Sequence, residues 1–295
     1  MGKKFHIEKI LIPFDFSETA VLALEHAVFM AKLHKAEIYL LHVIESFSFA
    51  SAISAAFGKS QSEFENKMQA TADEKLKELA HKLHHDSGMK VVDIIENGKI
   101  YKKINSVAEA NNIDIIVMGT HGSGGGQDHV VGSNTFKVVM NAPCPVISVQ
   151  SQSTKIGFKN VLLPIDNTTS SRQKVKHAVE FARHYNSIVH IVGLMTMSDV
   201  DMQRKFEVKI HQVRDYLEEY EIAHTAKVFK TDNPATTIAD YSAQLNADLI
   251  IIMTDQEGSG IFMGNAAQQI INHSKIPVMS IRPVEGGGEN VSVGY

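Results

Sequence analysis

Gly119, Gly122, Gly132 and Ser133 form the pattern in this chain with the clearest chemical meaning: a glycine, two residues, a glycine, nine residues, then Gly-Ser. They follow an apolar run at residues 113–118, closed by Met118, that reads as a buried strand. The chemistry is anion binding. Glycine takes backbone angles closed to other residues and lets main-chain N–H groups approach a phosphate with no side chain in the way. A helix expected from about Gly132 or Ser133 to residue 141 would add its first-turn N–H groups and the positive end of its dipole. Ser133 can add a hydroxyl. With glycine near 7% of residues, a chance match to this spacing is on the order of one in a hundred, raised somewhat by Gly124, Gly125 and Gly126 in the same stretch.

Two more strand ends look equipped. A run ending in Pro13 is followed by Phe14 and Asp15, whose carboxylate can accept hydrogen bonds from an exocyclic amine or a ribose hydroxyl. Alone, Asp15 would read as a turn or helix-start carboxylate. Val43 closes the next apolar run, where main-chain N–H and C=O groups can read the edge of a base. In open α/β sheets ligands bind beyond the carboxyl ends of the strands, where strand order reverses. Base at one end and phosphates at the other describe a nucleotide.

Other polar groups argue for less. Gly58, Lys59 and Ser60 resemble the end of a Walker loop, but Ile53 stands where its first glycine is required and no strand precedes it. His81, His84 and His85 share a helix without a carboxylate or cysteine partner and read as a solvated face, not a metal site. His121, Asp128 and His129 lie in or near the glycine loop, within reach of phosphate or magnesium, although polar residues are the default in such a loop. Cys144, between Pro143 and Pro145, reads as a buried small residue instead of a nucleophile.

The elements that must hold these residues are written twice. Ile10, Leu11, Ile12, Pro13 and Asp15 return as Val161, Leu162, Leu163, Pro164 and Asp166, and His26, Ala27, Val28 and Ala31 return as His177, Ala178, Val179 and Ala182, all 151 residues on. Asn112 and Asp114 return as Asn246 and Asp248 at a separation of 134, and Pro145 and Val146 as Pro277 and Val278 at 132. The second copy has therefore lost 17 residues, then two more from the glycine loop. Within the first copy, short β-rich runs at 10–13, 38–43, 91–95, 113–118 and 146–149 alternate with helical stretches at 18–34, 62–86, 100–111 and 132–141. That alternation predicts an α/β fold, a doubly wound parallel five-stranded sheet in each copy. Near-continuous apolar strands suit a sheet covered on both faces. Residues 45–60 read as a crossing loop or short helix at the ligand edge, 151–157 as a linker and 285–295 as a flexible tail.

The end of the first strand at Pro13 to Asp15, the His42-Val43 strand end and the glycine loop resemble the ATP-binding branch of the universal stress protein family, and the duplication resembles a tandem member. The resemblance implies two such domains, residues 1–150 and 157–284, each with strand order 3-2-1-4-5, pairing through their last strands. It implies ATP in the first copy, with Mg2+ accompanying it, held by Pro13, Asp15, Ser17, Val43, Met118, Gly119, Gly122, Gly132, Ser133 and Asn134. The second copy departs from the pattern: Met253 stands for Gly119, Gln256 for Gly122 and Asn265 for Ser133, while only Gly264 survives. Asp255 and Glu257 also fall where phosphate would lie and would repel it, so this copy is expected to hold no nucleotide.

Composition narrows the function classes. A net charge of −4 with cations spread along the chain gives no footprint for nucleic acid. No apolar run approaches the roughly 20 residues that span a bilayer, and the start of the chain has no signal-peptide core. A single cysteine excludes an internal disulfide and agrees with a cytoplasmic protein. No arginine precedes Arg172, so the first copy lacks the arginine that fast phosphoryl transfer uses, and at most a weak ATPase is expected. The leading expectation is a nucleotide-binding stress or regulatory protein acting on an unknown protein partner, self-paired between its copies and able to pair again as a homodimer. The alternatives are a nucleotide-free scaffold and, on fold analogy alone, an adenylyl-transfer enzyme.

Overall fold

The computed structural model describes residues 6–45, 61–120, 132–168, 170–196, 198–254 and 264–283. Gly122, His121, Asp128, His129, the stretch 46–60 and the tail from 284 on, all subjects of expectations above, lie outside them.

In the first half the described strands are β1 (Lys9–Pro13), β2 (Glu37–Ile44), β3 (Val91–Asn97), β4 (Ile115–Gly119) and β5 (Val146–Val149). The described helices between them are α1 (Glu18–His34), α2 (Gln61–Ser87), α3 (Ile100–Ala110) and α4 (Ser133–Asn141). The second half repeats the plan with β6 (Asn160–Ile165), α5 (Lys174–Tyr185), β7 (Ile188–Met195), α6 (Val200–Glu219), β8 (His224–Lys230), α7 (Pro234–Gln244), β9 (Leu249–Met253), α8 (Gly264–His273) and β10 (Val278–Ile281). Strand order within each half is 3-2-1-4-5, as expected, and all pairings inside a half are parallel.

The repeated residues explain themselves in the structure. Asn112 and Asn246 both turn the chain with φ of 50° and 47°, which asparagine tolerates better than most residues. Two residues later the Asp114 carboxylate accepts from the N–H groups of Glu8 (2.8 Å) and Lys9 (2.9 Å), pinning the start of β1 beside β4. Asp248 does the same for Asn160 (2.8 Å) and is ion-paired to Lys155. The strand expected at 113–118 therefore starts two residues later, because Asp114 serves as a clasp and not as a ladder residue. Lys35 and Asn186, also 151 apart, end α1 and α5 in the left-handed conformation.

Both faces of the sheet are covered. Ile10 and Ile12 of β1 join Ala23, Ala27 and Met30 of α1 in one core layer, while Leu11 joins Ile104, Val138 and Val139 in the other. This two-sided burial is why the strands read as unbroken apolar runs.

The halves join through the antiparallel pair β5 and β10, Val278 opposite Ser148 and Ser280 opposite Val146, giving one sheet of ten strands. Beside that seam, Phe158 packs between His26, Phe29, Phe181 and Tyr185, with ring centroids 4.9 to 6.2 Å away. The His26 ring nitrogen Nε2 lies 3.0 Å from the Ser153 carbonyl, so the linker is anchored to α1. His34 and Tyr185 are equivalent positions of the two copies and bond each other across the join, 3.1 Å apart. Gln150 and Arg282 form a second equivalent pair. Gln150 Nε2 donates to Ile271 O of α8 (3.0 Å), and Arg282 Nη1 donates to Ala142 O after α4 (3.4 Å). Each last strand thus reaches the loop-bearing helix of the other half.

Candidate functional site

Between β1 and β4 the strand order reverses, and the candidate residues gather at the carboxyl ends of these strands. After Pro13 the chain turns at once. Phe14 N–H donates to Leu41 O (2.8 Å), Phe16 adopts φ of 65°, and Ser17 caps α1 by accepting from Ala20 N–H (3.2 Å). Ser17 also donates its own N–H (3.1 Å) and hydroxyl (2.6 Å) to Asp15 Oδ1, so the half-buried carboxylate is held in one orientation at the strand end. On the neighbouring strand His42 Nδ1 lies 2.7 Å from Phe14 O, fixing the turn, and Val43 follows half-buried.

Across the reversal, β4 delivers Met118, which is buried, and then Gly119. A β-carbon at Gly119 would lie 2.7 Å from Thr19 Oγ1 and 2.9 Å from Thr19 C and Cβ, so only glycine lets the strand end approach the first turn of α1. Its φ is outside the left-handed region, as is that of Gly132 at −53°. The expectation that unusual backbone angles select Gly119 is thus corrected, since close approach selects it, while Gly122, read the same way, lies outside the described residues. Gly132 N–H donates to Thr120 O (2.9 Å), closing both ends of the glycine loop on one another, and a β-carbon at Gly132 would crowd the same oxygen at 3.3 Å. The Thr135 hydroxyl reaches the carbonyls of Gly119 (3.2 Å) and Thr120 (3.4 Å), while Thr120 N–H donates to Val149 O (3.0 Å).

Helix α4 begins at Ser133 with Gly132 as its cap, and glycine supplies no side chain to the first-turn N–H groups. Ser133 is exposed and Asn134 half-buried there. A helix start without a side-chain cap and with positive dipole character suits an anion. The structure brings Pro13, Asp15, Ser17, Val43, Met118, Gly119, Gly132, Ser133 and Asn134 to this edge of the sheet.

Sequence reasoning missed Thr19, Thr120, Thr135 and Phe16. The signal for Thr120 was present, because Thr254 repeats it and also donates its N–H to the last strand, at Ile281 O (2.8 Å). Phe16 is 39% exposed and packs edge-on against Phe14 (5.2 Å), beside His42 (5.2 Å), with the Lys75 ammonium 5.9 Å from its ring centroid. Nothing in the linear pattern marks it. Among the described residues, no group of three or more His, Cys, Asp or Glu is placed to hold a metal ion. His84 is tied to Met89 O (2.7 Å) and His85 to Asp86 (3.1 Å). Burial raises the Cys144 thiol to about 12, so it stays protonated at neutral pH.

At the corresponding edge of the second half the described side chains are more deeply buried. Met253, in the place of Gly119, is 2% exposed. The helix after β6 does not start where α1 does but at Lys174, preceded by a single tight turn, Ser170–Arg172. Asp166 keeps its counterpart's contacts, accepting from Thr168 N–H (2.9 Å) and hydroxyl (2.5 Å), but is only 1% exposed. Lys174 replaces Ala23 as a buried lysine, with Nζ 3.1 Å from Ser171 Oγ. From α6, Lys209 Nζ donates to Thr168 O (2.9 Å) and Asp166 O (3.3 Å); burial lowers this amine to about 8, Asp166 opposing and Arg172 adding to the shift. Leu194, the counterpart of half-buried Val43, is fully buried. Phe206 and Ile210 close on Gly193 where the first half carries His42.

With this geometry in place, comparison with known proteins defines the class. The model of the universal stress protein family matches residues 6–150 and again 157–282, so the chain belongs to that family as a tandem member. Universal stress protein MJ0577 of Methanocaldococcus jannaschii is 37% identical over 158 residues, covering 50% of this chain and 97% of that one. Universal stress protein MJ0531 of the same organism is 32% identical over 143 residues, 48% of this chain and 82% of its own length. Over almost the whole tandem, the crystal structure of a universal stress protein from Archaeoglobus fulgidus superposes with a TM-score of 0.76 at 21% identity, covering 95% of this chain and 97% of its own.

Proposed function

We propose that the first half binds ATP and that the protein acts as a nucleotide-dependent stress or regulatory protein, not as a fast enzyme. The observation that carries this reading is the approach of Gly119 to Thr19 in the first turn of α1, beside the start of α4, which has Gly132 for a cap and reaches the Gly119 carbonyl through Thr135. It brings a glycine strand end, an uncapped helix start and an oriented carboxylate, Asp15, to the same strand-order reversal, which supports a phosphate-binding reading. In this reading Asp15 and the main chain of Val43 hold the ribose and base. Pro13, Ser17 and Met118 shape the wall, and Gly119, Gly122, Gly132, Ser133 and Asn134 hold the phosphates. Magnesium would be carried in on phosphate oxygens and water, since the described residues offer it no cluster. Without an arginine before Arg172, transition-state charge on a transferring phosphoryl group has no guanidinium partner from this half, and hydrolysis is slow or absent.

In the same reading, residues 1–150 and 157–284 are two domains of one kind and the second holds no nucleotide. The burial of Met253 and Leu194, where the first half has Gly119 and half-buried Val43, supports this. The setting is the cytoplasm, and the nucleotide alters contacts with a protein partner or a second copy. Among the described residues, no helix is long and apolar enough to cross a membrane. The test is to denature freshly purified protein and quantify released nucleotide by chromatography, then to titrate the stripped protein with ATP and magnesium. One nucleotide per chain is the expected result. Two per chain would overturn the assignment of the second half, and none in either experiment would overturn the nucleotide reading and favour a scaffold.

A further inference from the structure

The two halves share one plan, so a volume filled in one and open in the other is informative. In the first half, Tyr101 in the first turn of α3 and Lys137 of α4 meet across the cleft between these helices, the ammonium 5.4 Å from the ring centroid. The ring lies partly buried on the core layer formed by Ile104, Ile116 and Val138. In the second half the floor is unchanged in kind: Ile238, Ile250 and Ile270 take those three places, each at least 97% buried. The cover is gone. Ala235 stands for Tyr101 and Gln269 for Lys137, and a cavity of about 280 Å³ opens between α7 and α8.

Among the described residues that line this space there is no aromatic ring. Tyr241 of α7 packs against Phe229 (5.0 Å), and Lys227 lies over both rings at 5.1 and 4.7 Å. The polar rim comes from Thr236, Gln269 and His273, groups that donate and accept hydrogen bonds. An apolar floor matching the one beneath Tyr101, with polar groups at the rim, is the general form of a small-molecule site, here just below the usual range of about 300–1,000 Å³.

We propose that the cleft between α7 and α8 is a binding site for a small phenol-class molecule, one aromatic ring bearing a hydroxyl, whose ring takes the place that Tyr101 fills in the first half. The proposal is independent of nucleotide binding. It is tested on the full chain by saturation-transfer NMR and by titration followed through the His273 ring resonances, with phenol as the probe and cyclohexanol as the non-aromatic control. Saturable phenol binding is expected, at least about tenfold tighter than cyclohexanol, a difference of about 1.4 kcal/mol. Ala235→Tyr should weaken phenol at least tenfold while leaving the far-ultraviolet circular dichroism unchanged. Tyr101→Ala, which empties the matching place in the first half, should add a second phenol site. Absence of saturable binding, equal binding of cyclohexanol, or phenol binding undiminished in a folded Ala235→Tyr chain would each overturn the proposal. If Ala235→Tyr does not fold, Ala235→Leu fills the same space and serves the same test.

Discussion

Gly119→Ala is the sharpest perturbation of the site. The added methyl carbon would stand 2.7 to 2.9 Å from three atoms of Thr19, and one of these is a main-chain carbon. To restore ordinary contact near 3.4 Å, the first turn of α1 must retreat by roughly 0.5 Å, which side-chain rotation cannot supply. Overpacking of this kind costs about 1–3 kcal/mol. At about 2 kcal/mol, the melting temperature of a unit of this size falls by roughly 4–8 °C. Because Ser17 precedes Thr19 and holds Asp15 Oδ1, the displaced turn carries the carboxylate with it, and ATP affinity should fall about tenfold or more, at 1.4 kcal/mol per factor of ten. Differential scanning calorimetry and isothermal titration on the stripped protein measure both effects. Adding Thr19→Gly should recover only part of the lost stability, since Thr19 C remains in the way. A Gly119→Ala chain that melts within about 1 °C of the parent and binds ATP as well would refute the close-approach argument.

Burial, together with His184 and His6, lowers His34 to about 4. Its folded value lies below the unfolded value near 6.5, so the unfolded chain binds more protons between these limits and stability is lost as pH falls from about 6.5 towards 4. For a partly screened site the loss is about 1–2 kcal/mol. His26, His177 and His190 are lowered mainly by burial and act in the same direction. The fall in melting temperature from pH 7.5 to 5 should be smaller in His34→Gln, and an unchanged pH slope would remove His34 from the account. Gln150→Ala leaves the Ile271 carbonyl without its cross-half donor and should cost about 1–2 kcal/mol. Hydrogen exchange should rise at the end of α8 and in β10 more than in β3; a uniform change would show that the contact does not tie the halves together. Ala235→Tyr should also raise the melting temperature by a few degrees, by covering Ile238, Ile250 and Ile270. No gain in a folded variant would show that the ring does not seat there.

Much of this was legible in the chain because it depends on local period and on repetition. Apolar runs of strand length between helical stretches specify a parallel sheet covered on both faces, and the observed burial of Ile10, Leu11 and Ile12 on opposite sides agrees. The spacing from Gly119 to Ser133 marks a strand end and a helix start, and the structure puts Gly119 at the end of β4 and Ser133 at the start of α4. What selects the glycines was not legible. Gly119 is demanded by Thr19, a hundred residues earlier, and no local rule connects a strand-end glycine to a helix turn so distant in sequence.

The second half shows the same division. Its substitutions at Met253 and Gln256 could be read directly, and from them the expectation that this half holds no phosphate, although Gln256 lies outside the described residues. That the helix start would retreat to Lys174, that a lysine would be buried there, and that the cleft over Ile238 would stand open could not, because each depends on which side chains meet across elements. The sequence by itself determined the elements, their order and their duplication, since these follow from hydrophobic period and from residues that turn or cap the chain. The tertiary structure decided which side chains crowd each strand end and where the halves clasp, because contact is a property of packed volume, and volume is shared among residues far apart in the chain.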